Sequence, residues 1–153
     1  MSQMSQVVDA NLAVALVLPT PYSVQAQALW EHWSVEAADV FAPDLWAYEV
    51  TSALRKAVSI TGMPSPDAEA HLETVMRLGV QLVPPTLELD RMALRWADRL
   101  GQTVAYDAHY LALAATLGCE FWTVDRRLVD AAGAEVRWVH WISESGGEWQ
   151  QST

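Results

Sequence analysis

The chain has 153 residues, 52% of them apolar and 18% charged, which suits one globular domain with a buried core and excludes a disordered or collagen-like chain. Its formal net charge is −10 with only nine Lys and Arg, too little basic material for a broad electrostatic grip on duplex nucleic acid. Its one cysteine, Cys119, excludes an internal disulfide and fits a reducing cytoplasm.

The N-terminal "MSQMSQVVDAN" has no basic head before its short apolar run, so no signal peptide is expected. The longest uncharged stretch, Ala10 to Trp30, contains Pro19, Pro21 and Asn11 and is unsuited to crossing a membrane, so a cytoplasmic location is expected. "QVVDAN" predicts a short buried strand ending at Asp9, and "LAVALVL" begins a helix that Pro19 and Pro21 interrupt. Residues 22–38 place Val24, Ala28, Leu29, Trp33 and Val35 at roughly helical spacing. "DVFAP" reads as a second strand. Residues 44–60 form a helix stopped by Gly62 and Pro64, and residues 66–78 another with Pro66 in its first turn. "VQLVP" is a third strand, and "LELDRMALRWADRLG" an amphipathic helix closed by Gly101. A helix from Asp107 to Leu117, a stop at Gly118, a strand from Glu120 to Val124, a short helix and a last strand in "VRWVHW" complete the pattern. No repeat or low-complexity tract interrupts it, so residues 1–145 are expected to form one domain and 146–153 a tail.

Strands alternating with helices predict a three-layer α/β/α domain around a mostly parallel sheet of about four to five strands. Right-handed crossovers bring the carboxyl ends of such strands to one edge, where ligands bind. Asp9 and Asp125 each follow the last apolar residue of a strand and share that edge. Asp107 heads an eleven-residue helix, about 16 Å long, that leads into the strand before Asp125. Its head therefore returns to the same edge. Each aspartate also suits helix capping or the helix dipole.

Glu49 is the most informative acid. The apolar stripe of helix 44–60 runs through Trp46, Val50, Ala53, Leu54 and Ala57, and Glu49 borders it with no cation three or four residues away. An inward carboxylate without a partner is costly, and a metal ion would remove the cost.

Other candidates have blander readings. Cys119 ends an apolar helix and reads as a buried structural thiol. The tryptophans fit core or dimer packing, with Trp138, Trp141 and Trp149 as more exposed candidates for a partner surface. The histidines show no zinc spacing, and His109 reads as a solvated helix residue near the cleft. Arg55–Lys56 and Arg126–Arg127 read first as solvated surface and second as local phosphate contacts.

Among acidic α/β enzymes, a D-x-D phosphatase is disfavoured because Asn11 stands at the second position. A receiver domain is disfavoured because the only lysine, Lys56, lies inside a helix, and no glycine-rich nucleotide motif follows the first strand. What remains is a set of hard oxygen ligands of the kind that hold Mg²⁺ or Mn²⁺ for attack on a phosphodiester.

"VVDAN", "YEVTSALRKA", "YDAHYLALAATLG" and "FWTVDRRL" resemble, in order and spacing, the four acidic motifs of PIN-domain ribonucleases, and among these the VapC-type toxins of bacterial toxin–antitoxin pairs. The resemblance spans residues 7 to about 141. It implies that Asp9, Glu49, Asp107 and Asp125 form an acidic quartet around Mg²⁺ or Mn²⁺, that Thr123 supports the site through its hydroxyl, and that Asn11 fills a small polar position. It further implies cleavage of single-stranded or loop RNA and homodimerisation; for such a substrate Arg126, Arg127 and Lys56, close in sequence to the site acids, are candidate RNA contacts. A small antitoxin with a basic segment is implied as partner. Two other readings stand beside it: a non-catalytic PIN-like module whose acidic cleft docks a basic partner, and a DNA nuclease, which the lack of a basic duplex track disfavours.

Overall fold

The structure, a computed structural model, describes residues 4–143. The chain folds in the order β1 (Ser5–Val8), α1 (Ala10–Val14), α2 (Ser23–Val35), β2 (Asp39–Pro43), α3 (Leu45–Thr61), α4 (Ser65–Met76), β3 (Gln81–Val83), α5 (Leu87–Leu100), α6 (Tyr106–Leu117), β4 (Glu120–Thr123), α7 (Arg126–Ala132) and β5 (Val139–Trp141). The five strands form one parallel sheet in the order β3-β2-β1-β4-β5. Val7 and Val8 point to opposite faces of β1 and both are fully buried, as expected when helices cover the sheet on both sides. The expected three-layer α/β/α architecture is therefore the one observed.

The strand order fixes where a ligand can sit. From β1 the chain builds outward through β2 and β3, then returns to add β4 on the other flank of β1 and β5 beyond it. The switch in direction falls between β1 and β4. At such a point the connections leave in opposite directions and open a crevice at the carboxyl ends of the strands. Asp9 follows β1 and Asp125 follows β4, so both stand at this crevice.

Glycine ends two of the helices that frame it. Gly101 after α5 and Gly118 after α6 take left-handed φ values of 68° and 65°, which side chains with a Cβ rarely adopt.

Several expectations shift on inspection. In α2 the buried stripe is Ala26, Leu29, Trp30 and Trp33, whereas Val24 and Val35 are exposed. The stripe follows the i, i+3, i+4, i+7 rule from Ala26, and the two valines lie off it. Trp30 and Trp33 meet edge to face at 5.1 Å, and Trp30 Nε1 donates to the Leu12 carbonyl, tying α2 to α1. The last strand occupies only the final three residues of "VRWVHW". Trp138 packs edge-on against Trp96, and Trp141 donates to the Val124 carbonyl beneath the Arg126 guanidinium, so both are engaged within the domain. Cys119 is half-buried, not enclosed. Trp149, residues 146–153 and the expected boundary at residue 145 lie outside the described residues. Among those described, no helix is long and apolar enough to cross a membrane.

Candidate metal centre

Each acid is positioned by a bond to one of its own oxygens. Asp9 takes an extended backbone (φ −77°, ψ 164°), and its Oδ1 caps α1 by accepting from the Leu12 N–H at 3.0 Å. Its Oδ2 reaches across the switch point, accepting from the Thr123 hydroxyl at 2.5 Å and the Val124 N–H at 3.1 Å. Asp125 caps α7, its Oδ1 accepting from the N–H groups of Arg127 at 3.0 Å and Leu128 at 3.4 Å. Asp107, in the first turn of α6, accepts through Oδ2 from the Gln102 side-chain amide at 3.2 Å. Glu49, on α3, accepts through Oε1 from the Tyr110 hydroxyl at 2.5 Å.

Capping and delivery to one place are thus the same act. In three of the four acids the oxygen that caps or is tethered fixes the rotamer and the other is left over, whereas both oxygens of Asp9 are engaged. Glu49, Asp107 and Asp125 each keep a second oxygen with no hydrogen bond among the described residues.

All four carboxylates line one cavity of about 240 Å³. Asn11, Ser52, Tyr110 and Thr123 line it too, and no Lys, Arg or His is among its lining residues. Three of the acids also respond to a neighbouring acid's charge. Burial raises the Asp9 carboxyl to about 6, overcoming three hydrogen bonds that favour the charged form, and the Glu49 charge adds to the rise. Glu49 is raised by burial and by Asp107, against the Tyr110 bond. Asp107 is raised by burial and by Asp125, against the Gln102 bond. Burial holds the Tyr110 phenol far above its usual range, so it remains a donor.

This donor set fits a hard divalent cation. Four carboxylates, three of them with an open oxygen, and no neighbouring cation in the wall are the ligands Mg²⁺ and Mn²⁺ prefer, and their crowding is a cost that such an ion relieves. Among the described residues no three Asp, Glu, His or Cys side chains close into a cage around an ion. An ion held here would therefore keep several waters in its shell, as Mg²⁺ usually does.

Tyr110 and Gln102 did not emerge from the sequence reading. Tyr110 carried a signal, since it lies three residues after Asp107 on the same face of α6. Gln102 carried none, because it meets Asp107 only through the turn between α5 and α6. Glu49 is therefore not partnerless: its partner comes from another helix.

Thr123 is 1% exposed and works in two directions, donating to Asp9 and accepting from the Asp125 N–H at 3.0 Å. Thr123→Val keeps the shape and removes both bonds. It should cost about 1–3 kcal/mol, read as a lower thermal midpoint, while Thr123→Ser stays near wild type.

The remaining candidates sit outside the cavity. Lys56 is exposed on α3. Arg126 lies 5.2 Å above the Trp141 ring and 3.9 Å from Asp130. Arg127 is almost fully exposed, 3.8 Å from Asp125. His109 lies 3.8 Å from Asp90 on the α5 side. Burial, then the Glu120 charge, push the Cys119 thiol up to about 11, which keeps it protonated and inert at neutral pH.

Comparison with known proteins agrees with the fold. The family model described as PIN domain matches residues 7–134. Ribonuclease VapC9 of Mycobacterium tuberculosis is 33% identical over 129 residues, covering 84% of this chain and 92% of the relative. The crystal structure of PAE2754 from Pyrobaculum aerophilum superposes with a TM-score of 0.62 at 26% identity, covering 84% of each chain. A toxin–antitoxin complex from Klebsiella pneumoniae shares the fold with a TM-score of 0.65 at 15% identity, covering 93% of this chain and 99% of that one.

Proposed function

The chain belongs to the PIN-domain family, and from that membership we propose that it is a divalent-metal-dependent endoribonuclease of the VapC type, cleaving single-stranded or loop RNA. The observation that carries the reading is the convergence of Asp9, Glu49, Asp107 and Asp125 on one cavity without a cationic wall residue. Asp9 and Asp107 would be the principal ligands of Mg²⁺ or Mn²⁺, with Asp125 and Glu49 completing the shell directly or through water. A bound ion lowers the pKa of water and offsets charge developing on a phosphodiester.

The chain's own residues do the rest. Thr123 and the N–H groups of Leu12 and Val124 hold Asp9 in place. Tyr110 pins Glu49 Oε1, which leaves Oε2 free of hydrogen bonds on a residue that lines the site. Burial has raised the proton affinity of Glu49, so Oε2 suits the task of taking a proton from attacking water. Tyr48 and Tyr106, 72% and 59% exposed, stand one residue before Glu49 and Asp107 and offer neutral faces on which bases stack. Such contacts, with Arg126, Arg127 and Lys56 for phosphates, give an RNA-binding mode compatible with a net charge of −10.

The acidic cleft also suits a basic segment of a small antitoxin, a reading supported by the shared fold with a toxin–antitoxin complex. Homodimerisation belongs to the same reading.

Purified partner-free protein given Mg²⁺ or Mn²⁺ and a structured RNA should release discrete fragments, stop on EDTA, and resume on excess Mn²⁺. RNA that stays intact with both metals, together with stoichiometric capture of a basic peptide, would replace the enzyme by a docking module.

A further inference from the structure

Gln102 is held by a helix cap. Gly101 ends α5 in the left-handed region, and the Gln102 N–H returns to the Ala97 carbonyl at 3.0 Å. This closes the end of α5 and fixes the backbone from which the Gln102 side chain leaves. That side chain donates through Nε2 to Asp107 Oδ2 at 3.2 Å.

The other end of the same amide has no compensation. Gln102 Oε1 is buried and has no hydrogen-bond partner among the described residues. A buried carbonyl without a donor costs stability. Turning the amide over would not help, because Oε1 would then face a carboxylate, one acceptor against another. The amide is thus oriented for Asp107 at the expense of its own oxygen. An apolar side chain of similar length would fill the space without that cost.

We propose that Gln102 is a positioning residue of the metal centre: by holding Oδ2 of Asp107 it presents Oδ1 to the cation. The proposal rests on the reading of the four carboxylates as a Mg²⁺ or Mn²⁺ site. A role confined to folding predicts the opposite balance of effects, since an apolar replacement relieves the orphaned carbonyl.

The test is Gln102→Met, with Gln102→Leu as a second replacement and Asp107→Asn in parallel, all as full-length protein. Mn²⁺ affinity of the metal-free protein is measured by titration calorimetry without RNA, and thermal midpoints are taken in EDTA. Weakening of Mn²⁺ binding by about 10–100-fold is expected for both Gln102 variants, the range found when an outer partner of a metal ligand is lost. Their midpoints in EDTA should equal or exceed that of wild type. Mn²⁺ binding within twofold of wild type, or a weakening matched by a lower midpoint in EDTA, overturns the positioning role. If Asp107→Asn weakens binding and the Gln102 variants do not, the centre stands and Gln102 alone falls. If wild type and Asp107→Asn bind Mn²⁺ alike, the centre falls and this proposal falls with it.

Discussion

Asp107→Asn should abolish RNA cleavage, with kcat/KM falling by more than about 10²-fold, beyond the roughly 10–100-fold loss expected of an outer partner. The substitution is nearly isosteric, and the asparagine carbonyl can still accept from Gln102 Nε2. The site loses one negative charge, and an NH₂ group replaces the open Oδ1, so an acceptor for a cation becomes a donor. Folding should not suffer. In the absence of metal at neutral pH the variant should be at least as stable as wild type, because the Asp107 charge is one of the causes that raise Glu49. Activity on RNA and thermal unfolding in EDTA together check this. Cleavage that survives in the variant and still responds to EDTA would move the metal centre elsewhere.

In EDTA the wild-type protein should lose stability as pH rises from about 4 to 7, and Mn²⁺ should restore it only at the upper end. The Asp9 carboxyl is raised from 3.8 to about 6 in the folded protein, chiefly by burial, and Glu49 and Asp107 are raised as well. Between those values the folded state holds protons that the unfolded chain releases. The associated stability is therefore fully present below about pH 4 and lost as pH passes through about 6. At about 1.4 kcal/mol per unit, Asp9 alone accounts for roughly 3 kcal/mol. For a chain of this size that is on the order of 6–12 °C in midpoint. Mn²⁺ at about a hundred times its dissociation constant returns about 2.7 kcal/mol at pH 7.5, and less at pH 5, where protons occupy the ligands. The net charge of −10 pushes the same way at large. Asp107→Asn isolates the local part: its advantage over wild type in EDTA should shrink towards pH 4. A midpoint that rises from pH 5 to 7.5 in EDTA, or an equal Mn²⁺ effect at both, would show that the carboxylates are not crowded as described.

The sequence itself carried the order of strands and helices, the glycine stops, and the four acids. Each of these is a local property. Alternation and helical periodicity belong to the backbone of one segment, and an aspartate at a strand end or helix start is visible without its neighbours. Glu49 stood out for the same reason, as an acid on the border of its own helix's apolar stripe. In α2 several registers of the helical period were open: one through Val24 and Val35 was expected, and the one observed runs through Ala26, Leu29, Trp30 and Trp33, with both valines exposed.

Only the tertiary structure decided which groups would meet. The sheet order placed the switch between β1 and β4, so that Thr123 could hold Asp9 from 114 residues away. The fold also brought Glu49 of α3 to the Tyr110 phenol of α6, 61 residues distant. It also decided that a carboxylate could cap a helix with one oxygen and face the cavity with the other, so that two readings opposed in the sequence became one arrangement. The physical reason is that secondary structure is selected by interactions within a few residues, whereas a site built at a sheet edge depends on how separate layers register, which no local period encodes.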